Sequence, residues 1–140
     1  MRTIIIVLAA ASTVAACGVT DTSAVALTQA RSACSAAVAI VAPFRERAAA
    51  TRDDHPDDAE AMRKAFMRLT EDAAQTYVGA DWRAAMSDCE DGGSRADVSE
   101  LRMWNVDVAI ANLDVTNDTH ADEAIDELLT KLDRALTLDD

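Results

Sequence analysis

Apolar residues return every three or four positions along most of this chain from Ala30 onward, and that period constrains the fold more than any other feature. Ala30, Cys34, Ala37, Val41, Phe44 and Ala48 are spaced four, three, four, three and four apart, which places them on one face of a helix. Met62, Phe66, Leu69, Ala73, Tyr77 and Ala80 form a second such face. Ile125, Leu128, Leu129, Leu132 and Leu136 form the cleanest amphipathic stripe. One segment obeys two periods. Leu101, Trp104, Val108, Ala111 and Val115 fit a helix, whereas Trp104, Val106, Val108 and Ile110 alternate as a strand would. The chain offers no partner strand, and a lone strand leaves its backbone groups unpaired, so a helix is expected there.

Breaks between these segments are marked by local chemistry. Pro43 removes the amide that would bond the carbonyl of Ala39, which predicts a kink or break near Val41 and Ala42. In "TRDDHPDD", residues 51–58, Asp54 or His55 is the expected cap, Pro56 falls in the first turn, and Asp57, Asp58 and Glu60 face the positive end of the helix dipole. "EDGGSRAD", residues 90–97, reads as a turn followed by the cap spacing of Ser94 and Asp97. Thr119 with Asp122 gives another cap, and Lys131 and Arg134 suit the C-terminal end of the last helix. The expectation is all-α: a small bundle of four to five helices forming a single domain over residues 24–140.

Ahead of that domain, residues 1–16 read as an export signal. Arg2 gives a positive start, Ile4 to Ala11 an apolar run, and Val14-Ala15-Ala16 an approach of small residues to Cys17. The apolar stretch of about 13 residues is short of the ~20 needed to span a bilayer as a helix. "VAAC", residues 14–17, resembles the lipobox of bacterial lipoproteins. That resemblance covers residues 1–17 only and implies that the signal peptide is removed before Cys17, whose thiol carries a diacylglyceryl group. Residues 17–23 would then be the lipidated N-terminus and its tether. Two or three acyl chains hold a protein stably at a membrane, where one holds it marginally. The implied location is the extracytoplasmic face of the inner membrane or the outer membrane, since Gly18 after the cysteine leaves both open.

The same resemblance sorts the three cysteines. With Cys17 alkylated, Cys34 and Cys89 remain, and an exported chain meets oxidising surroundings, so the two are expected to pair. In two straight antiparallel helices Cys34 would lie level with residues near 72, leaving Cys89 ~25 Å away, whereas a disulfide needs Cα atoms within ~7 Å. The second helix therefore has to stop. "VGAD", residues 78–81, offers the place, with Gly79 as a C-terminal cap and Asp81 as the cap of a short new helix.

Charge excludes one class of partner. The formal net charge is −12, and residues 88–140 hold 15 acids against Arg95, Arg102, Lys131 and Arg134. Such a surface lacks the clustered cations that bind phosphate backbones, so nucleic acid is not an expected partner. Motifs for chemistry are few. There is no Gly-x-Ser-x-Gly, His-Glu-x-x-His, phosphate-binding glycine loop or Cys-x-x-Cys. His55 and His120 sit among carboxylates, and Asp114, Asp118 and Asp122 are four apart but lack the glycine and closing glutamate of a calcium loop. No catalytic, cofactor or metal residue is assigned, and no small-molecule ligand is expected. Phe44, Phe66, Tyr77, Trp82 and Trp104 read as core.

The expected function is that of a noncatalytic envelope lipoprotein, a tethered helical module that binds an envelope protein through the acidic face of its last two helices. Two alternatives stand beside it. One is an enzyme or accessory subunit whose site gathers Asp54, His55 and His120; the other is an exclusion or immunity lipoprotein of a mobile element.

Overall fold

The computed structural model describes residues 22–92 and 98–138. Every regular element there is a helix: α1 (Thr22–Ala33), α2 (Ser35–Asp54), α3 (Ala59–Tyr77), α4 (Ala80–Gly92), α5 (Ser99–Asn117) and α6 (Ala121–Thr137). The all-α class is as the sequence implied. The count is six rather than four to five, because the first predicted helix divides at Cys34. The first helix also starts at Thr22, inside the stretch read as tether, while Cys17 lies outside the described residues.

Four of the helices close a ring in which α2 packs on α3, α3 on α5, α5 on α6 and α6 back on α2. Ion pairs fix the directions. Arg45 pairs with Asp133 and Arg52 with Asp126, so α2 runs antiparallel to α6. Arg47 pairs with Asp72 at 2.7 Å, while Asp54 at the end of α2 shares a depression with Ala65, earlier on α3, so α2 also runs antiparallel to α3. Arg63 donates to the carbonyls of Val115 and Asp118, which joins the start of α3 to the end of α5. These contacts describe an up-down four-helix bundle of the kind short connections favour. The two shorter helices lie outside the ring, with α1 packed on α4 and α4 on α2.

The inward faces are largely those the spacing marked, although Tyr77 is half-buried and Ala80 exposed. Ala30, Cys34, Ala37, Val41, Phe44 and Ala48 are all buried, as are Met62, Phe66, Leu69 and Ala73. Leu101, Trp104, Val108, Ala111 and Val115 are buried together, which resolves the ambiguous segment as a helix. On α6, Ile125, Leu128 and Leu132 reach the core, while Leu129 and Leu136 are only partly covered.

The predicted break at Val41 and Ala42 is corrected. Helix α2 continues through Pro43, and the bend falls at Cys34, where α1 and α2 meet at 74°. Both Ala39 and Pro43 lie on the exposed side of α2, so the carbonyl that Pro43 leaves without an amide faces water, which can satisfy it. That position explains how the proline is tolerated.

Two caps also differ. Asp54 ends α2 and His55 follows it; the cap of α3 is Asp58, whose carboxylate accepts from the Ala61 amide at 2.9 Å. At α6 the Thr119 side chain does not cap. Asp118 instead accepts from the His120 amide at 3.1 Å, which stiffens the turn before the helix. The Ser94 and Asp97 cap falls outside the described residues.

The second helix stops where required, at Tyr77, with Val78 as its C-terminal cap. Gly79, expected as that cap, instead lies one residue beyond it, and its φ is not positive. Its role is room: a Cβ there would stand 3.0 Å from the Thr76 carbonyl oxygen. Cys34 and Cys89 are joined by a disulfide, with Cα atoms 4.1 Å apart. The helix register differs from the straight-helix expectation, since residue 72 is level with Arg47 rather than with Cys34. Thirteen residues back along α2 from Arg47 is Cys34, and thirteen on from Asp72 is Ala85, one helical turn from Cys89. The bend at Cys34 and the stop at Tyr77 together bring the two sulfurs into contact.

Candidate functional site

The structure does not gather the acid and imidazole candidates. Asp54 and His55 line a shallow depression of about 270 Å³ with Arg47, Arg68 and Asp72. His120 stands instead at the entry to α6, its Nδ1 3.9 Å from Glu123 Oε1. Asp118 is committed to its own turn, and the hydrogen bond from the His120 amide holds its carboxyl below the usual range. Among the described residues, no three His, Cys, Asp or Glu side chains form a group that could hold a metal ion. Nor is any single helix there long and apolar enough to cross a membrane; only the bent pair of α1 and α2 passes that test together.

Aromatic side chains converge at the end of the bundle nearest the disulfide. The Trp104 ring lies 4.6 Å from Phe44, 5.8 Å from Trp82 and 6.3 Å from Tyr77, measured between centroids. Phe44, Trp82 and Trp104 are buried, as core aromatics were expected to be, but Tyr77 is only half-buried. It forms one wall of an open groove of about 550 Å³, with Trp82 and Met86 beneath and Val78 exposed at the rim. Arg102 crosses one end of this groove and is held by Glu90, Nε to Oε1 at 2.8 Å.

Beyond Arg102 runs the least expected surface of the molecule. Met103, Val106, Ile110 and Leu113 project from the outer face of α5 with exposures of 46%, 37%, 44% and 61%. Ala109 lies exposed among them, and no charged residue interrupts this face between Arg102 and Asp114. Helix α5 is thus apolar on two sides, with one stripe in the core and a second facing outward. The strand-like alternation of Val106 and Ile110 was the trace of this second stripe in the sequence. The alternating pattern mixed the two faces of one helix, with Trp104 and Val108 in the core and Val106 and Ile110 outside. On α3, Met67 is 49% exposed and shares a helix face with Arg63, the residue that reaches over to α5.

The acidic surface is correspondingly restricted. Asp122, Glu123, Asp126, Glu127 and Asp133 are exposed on α6, whereas α5 contributes Glu100, Asp107 and Asp114 around its apolar stripe. Asp107 is partly covered beneath α6. Burial pushes its carboxyl above the usual range, against the pull of Lys131 at 3.9 Å. The contact surface read from charge alone, the acidic face of the last two helices, therefore divides into an acidic α6 and an apolar α5.

Comparison with protein-family models, with curated proteins and with solved structures finds no match, so the surfaces of the chain itself carry the functional reading.

Proposed function

We propose that the protein is a lipid-anchored bacterial envelope protein whose helical domain is a noncatalytic binding or structural module. The anchor reading rests on residues 1–17, where a cationic start, an apolar run and the Val14-Ala15-Ala16-Cys17 lipobox occur in that order. The observation that supports it from the folded part is the Cys34–Cys89 disulfide. A bridge of this kind suits an oxidising compartment, and it occupies two of three cysteines, leaving Cys17 as the one with another use. The module reading rests on α5, whose outer apolar stripe has no counterpart in the needs of the bundle core. Metabolic labelling with a clickable fatty acid tests the anchor. Label is expected on the parent chain and lost in Cys17→Ala; label that persists in the variant refutes it.

A further inference from the structure

We infer that the folded domain stands on the membrane by the end that holds the disulfide, with the outward side of α1 against anionic phospholipid head groups and the acidic far end of the bundle pointing away. This inference rests on the anchor reading of Cys17 above and names the surface that meets the bilayer. Reach, direction and charge support it.

Reach comes from the sequence. Residues 17–21 are all that separates the lipidated sulfur from Thr22, where α1 begins, and five residues extend to no more than about 18 Å. The start of α1 is therefore held near the head groups whatever the rest of the domain does. Direction comes from the fold. Helix α1 meets α2 at 74°, so it runs across the end of the bundle rather than along it. It packs on α4, and its Arg31 reaches the Thr137 carbonyl at the end of α6. Ala30 is the buried side of this helix, whereas Val25, Thr28 and Ser32 fall on the opposite side and are exposed.

Charge decides between stances that the tether alone would permit. Residues 22–44, which comprise α1 and the first half of α2, hold one charged residue, Arg31. The other end of the bundle is built from residues 52–64 and 114–127, which hold 11 acids against Arg52, Arg63 and Lys64. Helix α2 runs for 20 residues between the two ends, so they stand about 30 Å apart. Salt at physiological strength screens charge over about 8 Å. A domain standing on α1 keeps the far acids several screening lengths from anionic lipid, while a domain lying on its side brings some of them against it. The disulfide end has acids too, Asp81, Asp88, Glu90 and Asp91, but they are on α4 and α1 turns its other side to the lipid, leaving them about one helix spacing of 8–10 Å behind. The apolar outer face of α5 offers the bilayer a second surface, yet it is flanked by Asp107 and Asp114 of its own helix and by the exposed acids of α6.

The test reads which end approaches the lipid. The full lipidated chain, with one added cysteine bearing a fluorophore, is reconstituted in vesicles of phosphatidylethanolamine and phosphatidylglycerol in which some head groups carry a nitroxide quencher. Quenching should be severalfold stronger from Val25→Cys and Thr28→Cys than from Asp57→Cys and Thr119→Cys at the acidic end. All four positions are exposed, and circular dichroism checks that the helices remain. On vesicles of phosphatidylcholine, which carry no net charge, the contrast between the ends should shrink; a contrast as large as before shows that charge does not set the stance and overturns it. Equal quenching at the two ends on the anionic vesicles also overturns it, as does quenching from Ile110→Cys that matches Thr28→Cys, which would lay the domain on α5. Mass spectrometry of the same samples reports the lipid on Cys17. A chain without it refutes the anchor and this inference together, whereas an even pattern on a lipidated chain refutes the stance and leaves the anchor standing.

Discussion

Removing the disulfide is the perturbation whose consequences the fold specifies most fully. Cys34 and Cys89 are both fully buried and lie 55 residues apart, so Cys34→Ala with Cys89→Ala frees a loop of that length in the unfolded chain while changing little packed volume. In the chain-entropy account a loop of this size is worth ~4 kcal/mol at 25 °C. For a domain of this size that corresponds to a fall in Tm of about 15 °C. The loss should not be uniform. Helix α1 is short, and among its described side chains Ala30 is buried, with Leu27 and Ala33 partly covered; Arg31 adds a hydrogen bond to the Thr137 carbonyl at 3.2 Å. A 12-residue helix with so little cover is marginal by itself, so the crosslink to α4 is what keeps it docked. Urea denaturation followed by circular dichroism should give a lower midpoint and a larger m value, because the freed unfolded chain exposes more surface. Hydrogen exchange should speed up first over residues 22–33. A loss below ~1 kcal/mol with an unchanged m value and an α1 still protected would refute this reasoning.

Two further perturbations probe local packing and charge. Gly92 closes α4 against α1, and a Cβ there would collide with the Cβ of Ala33. Gly92→Ala should therefore destabilise by about 1–3 kcal/mol in thermal denaturation, although alanine is the better helix former; a gain in stability would show that α1 and α4 part easily. Asp107 bears on pH dependence. Burial raises its carboxyl in the folded state, so the folded protein binds that proton more tightly than the unfolded chain does. Its favourable contribution is complete below the ordinary carboxylate range and disappears as pH rises through the raised value, which leaves a cost at neutral pH. Asp107→Asn should then be more stable than the parent at pH 7, with the difference shrinking as pH falls toward 4. An equal difference at both pH values would contradict the assignment.

Much of the fold was determined by the order of residues alone. Phe66, Trp104, Val108 and Ile125 recur at helical spacing because a helix must bury one stripe to be stable in water, and most residues of the stripes named from spacing are inside, with Tyr77, Leu129 and Leu136 partly covered and Ala80 exposed. The pairing of Cys34 with Cys89 followed from the lipobox resemblance of residues 14–17 and from the cysteine count, and the need for α3 to stop followed from the rise of a helix. Tertiary structure decided the rest. Whether Pro43 breaks its helix depends on whether the orphaned carbonyl of Ala39 meets water or protein, and only the placement of α2 in the ring settles that. The register that sets Asp72 beside Arg47, and so moves Cys34 to α4, depends on a connection whose cap is Asp58 rather than Asp54. The outer stripe of α5 was the hardest feature to read. Val106 and Ile110 lie in a segment apolar on both sides, and a sequence lists such residues without saying which side a neighbouring helix will cover. Burial is a property of the assembled bundle, because it is the packing of α3 and α6 on one side of α5 that leaves the other side bare.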